Sequence, residues 1–133
     1  MNLVAIGRVQ SPLTLREDAP KQGDEGAPDA WLVFDEAVAE GLDGIVAGDE
    51  LLLLTWLDQA ERDVLKVIPR GDRSRGVQGV FNTRSPDRPN PIGLHRVTVL
   101  EVNGPRLHVR NLEALDGTPI VDVKPLLRSI EER

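Results

Sequence analysis

The sequence predicts a mainly β fold of short strands, arranged as a sandwich or a barrel, with hardly any helix. Turn-forming residues divide the 133-residue chain into about eight short apolar or alternating segments of strand length. Asn103-Gly104 has the composition of a tight hairpin turn, and Asp116-Gly117 marks another turn. Residues 36–42 suggest a helical or turn-like excursion, and the leucine-rich segment 50–57 has a helical alternative to the favoured strand.

The strands are expected in eight places along the chain. The segment 50–57 (ELLLLTWL) has no polar alternation, so both of its faces should be covered. The apolar phase of 94–102 shifts after Val99, which indicates a β-bulge. The expected strands are residues 3–9, 30–34, 50–57, 64–68, 79–81, 94–102, 107–111 and 120–124.

We expect one domain covering 1–133, with no C-terminal accessory domain; its length and composition suit a single domain. Hydrophobic residues at 40% and charged residues at 29% are ordinary for a soluble globular protein. No apolar run approaches the roughly 20 residues of a membrane helix. The N-terminus lacks the basic and long apolar regions of a signal peptide. The chain has no cysteine, which excludes disulfides, thiolate zinc sites and a cysteine nucleophile. We therefore expect a cytoplasmic protein with no membrane partner.

The net charge of −6 is unevenly distributed along the chain. Residues 1–50 hold three basic and eleven acidic side chains, whereas 62–96 hold eight basic and three acidic ones. The basic excess in 62–96 predicts either a local phosphate-facing patch or a region that the N-terminal acids fold back to neutralise.

Residues 79–93 (GVFNTRSPDRPNPIG), the signature segment, are the most constrained part of the sequence. Pro86, Pro89 and Pro91 each fix φ near −65° and push the preceding residue to extended geometry. The segment is therefore expected to be a stiff, non-helical loop from which Arg84 and Arg88 project. It reads either as a proline-rich surface turn with solvated charges or as a site for a carboxylate, a phosphate or a nucleobase edge.

The signature segment and the LHRVTVLEV that follows it resemble the TsaA-like family, also called TrmO. LEALDGTPIVDVKPLL resembles the closing motif of that family, and Ile6-Gly7, Ser11-Pro12 and Pro20-Lys21-Gln22 resemble its N-terminal pieces. Lys21 stands where the family usually has an arginine. The resemblance implies a single antiparallel β-barrel that forms a homodimer, with an S-adenosylmethionine site close to the subunit boundary. It also implies N6-methylation of threonylcarbamoyladenosine, next to the anticodon of tRNA.

The resemblance further implies which residues form the site. Arg84 falls on the family's cofactor-contacting arginine, whose guanidinium would grip the methionine carboxylate. Arg88 and Asn90 are candidates for the acceptor side, with Arg73 and Arg75 as further substrate-binding residues. The implied cofactor-binding residues are Arg84, Leu94, Asp58, Gln59, Lys21, Gln22, Arg110, Asn111, Leu112 and Glu113.

Other kinds of chemistry find little support in the sequence. It contains no dinucleotide-binding glycine motif, no P-loop and no nucleophile elbow, and no histidine spacing suits a metal. His95 and His108 are expected to be partly exposed strand residues.

Methyl transfer needs only positioning of a sulfonium donor and loss of one proton from the acceptor. Asp116 is the candidate catalytic carboxylate and Glu113 its alternative, although turn chemistry also explains Asp116. A methyltransferase for a small molecule or another nucleoside, and a non-catalytic S-adenosylmethionine-binding module, remain alternative readings.

Overall fold

The computed structural model describes the whole chain except residues 22, 70–72 and 128–133. Its strands are β1 Gly7–Gln10, β2 Ala30–Phe34, β3 Glu50–Trp56, β4 Lys66–Val67, β5 Gln78–Gly79, β6 Ile92–Asn103, β7 Arg106–Arg110 and β8 Pro119–Pro125. The helical segments within this part of the chain are short 3-10 turns at Arg16–Asp18, Gly23–Glu25, Glu36–Leu42, Arg73–Arg75 and Val80–Asn82. No helix among the described residues is long and apolar enough to cross a membrane.

Six strands form a closed barrel in the order β1-β2-β7-β6-β3-β8, with every neighbouring pair antiparallel. The barrel closes where the first strand meets the last, with Gly7 opposite Ile120. β4 and β5 form a separate two-stranded ribbon just before the signature segment. This architecture confirms the predicted mainly β fold and, between sandwich and barrel, selects the barrel.

Alternate side chains of the barrel strands fill the interior. On β3, Leu51, Leu53 and Thr55 are buried, whereas Leu52 and Leu54 are only half-buried. The expectation that both faces of β3 are covered was therefore wrong, because only alternate residues of a barrel strand point into its interior. The buried apolar core is made of Val9, Ala30, Leu32, Phe34, Leu42, Leu51, Leu53, Val97, Val99, Leu107, Val109, Leu112, Ala114 and Ile120.

The turn signals gave accurate predictions. Gly104 has φ 58° in the hairpin between β6 and β7, and the pairing register of these strands shifts between Val99 and Glu101, as a bulge requires. The expected strand 79–81 was wrong in its second half. Its Val80 is buried and begins a 3-10 turn, in which the N–H of Thr83 bonds the Val80 carbonyl.

Candidate functional site

Arg88 holds the signature segment together from inside. Its Nη1 donates to the carbonyls of Thr83 and Ser85, both at 3.0 Å, and its Nη2 donates to the carbonyl of Val80 at 2.7 Å. The expectation that Arg88 projects from the loop was therefore wrong. Prolines have no N–H to offer, so the guanidinium supplies donors that the loop backbone lacks. Its predicted role in substrate binding stays a prediction. These three bonds already occupy the guanidinium that would contact a substrate.

Arg84 has the opposite environment, although it lies in the same loop. Its side chain is exposed, and it makes no hydrogen bond or ion pair with any residue that the structure describes. Asn90 is also exposed, and its Oδ1 accepts a hydrogen bond from Arg62, whose guanidinium lies 5.1 Å from the ring centroid of Trp56. Arg84 thus offers a guanidinium that is open to an incoming anion.

The signature segment is fastened to the loop between β1 and β2 through Asp87. Asp87 accepts from Arg16 Nη2 at 2.7 Å and from the backbone N–H of Glu61 at 2.9 Å. Burial by itself raises the pKa of the Asp87 carboxyl. The two hydrogen bonds, together with the charges of Arg16 and Lys21, outweigh burial and hold that pKa below its ordinary value.

A chain of polar side chains crosses the wall of the barrel. His95 is 5% exposed; its Nε2 lies 2.7 Å from Thr55 Oγ1, and its Nδ1 lies 2.5 Å from Glu113 Oε1. Thr55 is fully buried, and 14% of the Glu113 side chain is exposed. The expectation that His95 is a partly exposed strand residue was wrong. It lies in phase with buried Val97, so its ring points into the barrel.

Glu113 forms one wall of a cavity of about 340 Å³ beside the end of β7. Leu112, the intervening residue, is buried in the core, and Asn111 leaves β7 with a positive φ of 57°. Gly23 lines the opposite side of the cavity. Its backbone lies so close to the Asn111 carbonyl that a side chain at this position would collide with that carbonyl. The cavity is lined by Gly23, Asp24, Arg96, Thr98, Arg110, Asn111 and Glu113.

The cavity therefore brings together three of the predicted cofactor-binding residues: Arg110, Asn111 and Glu113. Leu94 is 40% exposed on the outer face of β6, opposite Leu54. The other predicted site residues that the structure describes lie outside the cavity lining. Asp58, Gln59, Lys21 and Arg75 are exposed, whereas Gln22 and the side chain of Arg73 lie outside the described residues.

Asp116, the predicted catalytic carboxylate, lies in a turn on the exposed surface. Its Oδ1 accepts from the backbone N–H of Ser11 at 3.0 Å, and its own N–H bonds the carbonyl of Leu13. These bonds give Asp116 a clear part in fastening the turn to the segment after β1. A catalytic role for Asp116 stays a prediction.

Sequence reasoning missed the parts of Thr55, Gly23 and Arg96. The signal for Thr55 and His95 was present: each is a polar residue at an inward position of a strand whose other inward positions carry no polar side chain. A larger cavity, of about 640 Å³, lies between the Glu36–Leu42 turn and β8. The part of the chain that the structure describes holds no group of three His, Cys, Asp or Glu residues placed to bind a metal.

Comparison with known proteins gives consistent matches over nearly the whole chain. The family model described as tRNA-methyltransferase O N-terminal domain matches residues 8–132. An S-adenosyl-L-methionine-binding protein of Archaeoglobus fulgidus is 48% identical over 125 residues, which cover 93% of this chain and 88% of the relative. A probable S-adenosyl-L-methionine-binding protein of Methanothermobacter thermautotrophicus is 43% identical over 126 residues, which cover 95% of this chain and 90% of the relative.

The fold also matches a solved structure. The crystal structure of TrmO from Pseudomonas aeruginosa superposes with a TM-score of 0.77 at 26% sequence identity, covering 96% of this chain. The match covers 56% of that TrmO chain, so the present chain spans a little over half of its length.

Proposed function

Since the chain belongs to the tRNA-methyltransferase O N-terminal domain family, we propose that it binds S-adenosyl-L-methionine and acts as a methyltransferase. The observation that carries this proposal is the cavity beside the end of β7, where Arg110, Asn111 and Glu113 meet. Two relatives that are named for S-adenosyl-L-methionine binding support the same cofactor.

The chemistry of the cavity residues fits this cofactor. S-adenosyl-L-methionine carries a carboxylate, an ammonium group and a sulfonium. Arg110 offers donors to a carboxylate, and Asp24 offers negative charge to a cationic group. The volume of about 340 Å³ lies within the range of small-ligand sites. The absence of a side chain on Gly23 keeps the backbone close without filling this space.

We also assign Arg84 to the cofactor's carboxylate, as a second arginine besides Arg110. The exposed guanidinium of Arg84 has no described partner, whereas that of Arg88 already bonds three carbonyls. When bound, the cofactor supplies a methyl group on a sulfonium, which is an excellent leaving group. The protein's part is to hold the acceptor in line, to exclude water and to take up one proton.

We further propose that the acceptor is the N6 nitrogen of threonylcarbamoyladenosine next to the tRNA anticodon. The family description names tRNA, and residues 62–96 carry a basic excess that suits phosphates. Arg75 is exposed in this segment, ahead of the signature segment. Comparing tRNA nucleosides by mass spectrometry, from cells with and without the gene, tests this acceptor. Unchanged methylation of threonylcarbamoyladenosine would rule it out.

A homodimer is part of the proposal, with the cofactor site near the subunit boundary. The outer face of the barrel offers an apolar surface for it. Leu54 pairs with Leu94 there and Trp56 pairs with Ile92, and both β6 residues are 40% exposed. Covering an apolar surface of this kind with a second copy removes it from water and stabilises the dimer.

A second candidate function is a non-catalytic S-adenosyl-L-methionine-binding module. The names of the two archaeal relatives favour it, because they state binding and no reaction. Calorimetry of S-adenosyl-L-methionine tests the cofactor for both functions. Transfer of a labelled methyl group to tRNA or to a free nucleoside then separates an enzyme for either acceptor from a binding module.

A further inference from the structure

We propose that Glu113 takes the proton that leaves the methylated nitrogen, and that His95 and Thr55 are positioning residues for its carboxylate. The inference rests on the proposed methyltransferase function and assigns the proton step within it. It starts from the hydrogen-bonded chain Thr55–His95–Glu113, which joins the sealed interior of the barrel to the cavity.

For a neutral His95 ring, the order of donors along this hydrogen-bonded chain follows from the carboxylate at its end. An ionised carboxylate only accepts, so the hydrogen between Glu113 Oε1 and His95 belongs to Nδ1. A neutral imidazole with its hydrogen on Nδ1 has a free lone pair on Nε2, and the Thr55 hydroxyl donates to it over 2.7 Å. Both ring nitrogens of His95 are then hydrogen-bonded. These bonds fix the orientation of the ring and the position of Glu113 Oε1.

Only one of the two Glu113 oxygens is used by this chain. Oε1 bonds His95, whereas no described residue bonds Oε2. Oε2 lies on the side of Gly23, 3.0 Å from the position that a Cβ there would take. One oxygen is thus anchored while the other faces the cavity. Asp116 lacks this arrangement, because its carboxylate bonds the Ser11 N–H and lies outside the cavity lining.

The burial of the chain is itself an argument for a function. A histidine and a threonine in an apolar barrel wall cost free energy unless every polar atom is paired. Here all are paired, and no buried side-chain nitrogen or oxygen among the described residues lacks a partner. Two apolar residues would fill the same space without this requirement. We infer that these hydrogen bonds serve to hold the Glu113 carboxylate in one orientation.

The proton step balances as follows. The acceptor nitrogen uses its lone pair to form the new N–C bond while the methyl C–S bond breaks and leaves its electron pair on sulfur. The nitrogen then carries a positive charge and a surplus proton. Glu113 Oε2 accepts that proton, giving a neutral carboxylic acid and a neutral N6-methylated carbamoyl nitrogen. The acid returns the proton to water when the products leave.

The first experiment separates proton transfer from cofactor binding. Glu113→Gln keeps the shape of the side chain and a hydrogen bond to His95, but it cannot accept a proton at neutral pH. We expect kcat on tRNA purified from cells lacking the gene to fall about 100-fold or more, the usual effect of losing a general base. The Kd for S-adenosylhomocysteine should change by less than about threefold, since a neutral amide at this position still fits the ligand. Glu101→Gln, on the exposed outer part of β6, is the matched control and should leave both values unchanged.

The second experiment tests positioning with two variants of fully buried Thr55. Thr55→Ser keeps the hydroxyl, and Thr55→Val keeps the shape without it. We expect the serine variant to retain activity and the valine variant to lose about tenfold in kcat, roughly one hydrogen bond of stabilisation. The nitrogen NMR signals of the His95 ring in the cofactor-free protein should report a hydrogen on Nδ1 in the wild type. The valine variant should change the Nε2 signal, a readout independent of catalysis.

Each failure points to a different conclusion. A wild type that binds S-adenosylhomocysteine and methylates, with Glu113→Gln retaining more than about a third of its kcat, would overturn the proton-acceptor role alone. Loss of cofactor affinity in Glu113→Gln without loss of kcat would make Glu113 a binding residue instead. Equal activity of the two Thr55 variants would overturn the positioning role. A wild type that binds no cofactor would overturn the proposed function itself.

Discussion

Arg16 Nη2 lies 2.7 Å from Asp87 Oδ2, so one ion pair joins the loop after β1 to the signature segment. The side chains are 44% and 24% exposed, which makes this contact a surface pair of modest strength. Its importance comes from its position. The signature segment carries Arg84, and the loop from β1 to β2 carries Gly23 of the cavity, so the pair links the two parts of the proposed site.

The Asp87 pair predicts a pH-dependent stability. Because the folded pKa of Asp87 lies below 3.8, its contribution is fully present above that value and is lost as the pH falls through the folded pKa. We expect Asp87→Asn to lower the free energy of unfolding by about 1 kcal/mol at neutral pH and to have little effect in strong acid. Urea unfolding at both pH values measures the difference. Asp63→Asn, at an exposed carboxylate, is the control; an equal loss at both pH values would contradict the assignment.

The two arginines of the signature segment should respond in opposite ways to truncation. Arg84→Ala should weaken S-adenosyl-L-methionine binding by roughly 1.5–3 kcal/mol, the value of a charge-assisted hydrogen bond. It should leave the melting temperature nearly unchanged, because Arg84 is exposed. Arg88→Ala should instead destabilise the protein by about 1–3 kcal/mol, because the carbonyls of Thr83 and Ser85 lose their donor and that of Val80 keeps only its bonds from Thr83. Calorimetry and thermal unfolding of both variants check this, and the reverse pattern would refute it.

Two glycines at the ends of the signature segment provide a matched pair. A Cβ on Gly93 would overlap Thr55 Oγ1 and approach His95 Nε2 to 2.7 Å, whereas a Cβ on Gly79 meets nothing within 4 Å. We expect Gly93→Ala to cost about 1–3 kcal/mol of stability and Gly79→Ala to cost less than about 0.5 kcal/mol. Chemical unfolding compares them. Gly93→Ala should also change the NMR signals of His95, and unchanged signals would show that the ring does not depend on this contact.

The proposed homodimer predicts a definite mass in solution. At micromolar concentration, sedimentation should give a species of twice the 14.6 kDa chain mass. Trp56→Asp would place a charge on the apolar outer face and should shift the equilibrium toward monomer. Lys124→Asp, on exposed β8, is the control. A wild type that sediments only at 14.6 kDa would argue against the dimer and against a site at its boundary.

The tRNA proposal predicts weak, salt-sensitive binding through the basic segment 62–96. Neighbouring strand residues point to opposite faces, so only some of its eight cations can meet phosphates at once. We expect about three or four phosphate contacts per subunit and a log–log salt slope of about that size. Neutralising Arg70, Arg73 and Arg75 together should flatten the slope and reduce tRNA methylation, while cofactor affinity stays nearly unchanged. Filter binding across a salt series measures this. A triple variant that matches the wild type on tRNA would refute the patch.

Much of the fold could be predicted because local rules decide it. The Asn103-Gly104 hairpin is fixed by a turn that requires positive φ, and the bulge after Val99 is visible as a change of apolar phase. Tertiary context decides what local rules do not. Val80 is buried and begins a 3-10 turn instead of prolonging β5, and the residues of β3 differ in burial although their hydrophobicity is similar.

The site was harder to predict than the fold for the same reason. Arg110, Asn111 and Glu113 were predicted to bind the cofactor and line one cavity, but that cavity also needs Gly23 and Arg96 from distant segments. Sequence alone gave Arg84 and Arg88 the same exposed role. The structure separates them, because only contacts between the loop carbonyls and a folded-back guanidinium distinguish the two.

The pairing of β1 with β8 has a consequence for how the chain folds during synthesis. One pairing partner of Gly7 is Ile120, which lies far along the sequence, so the barrel cannot close until β8 has been made. At a translation rate of roughly 5–20 residues per second, the edges of β1 and β2 that later pair with β8 and β7 stay unpaired for several seconds. Folding should therefore be slow and dominated by distant contacts, with chaperone dependence greatest for nascent chains that stop before β8.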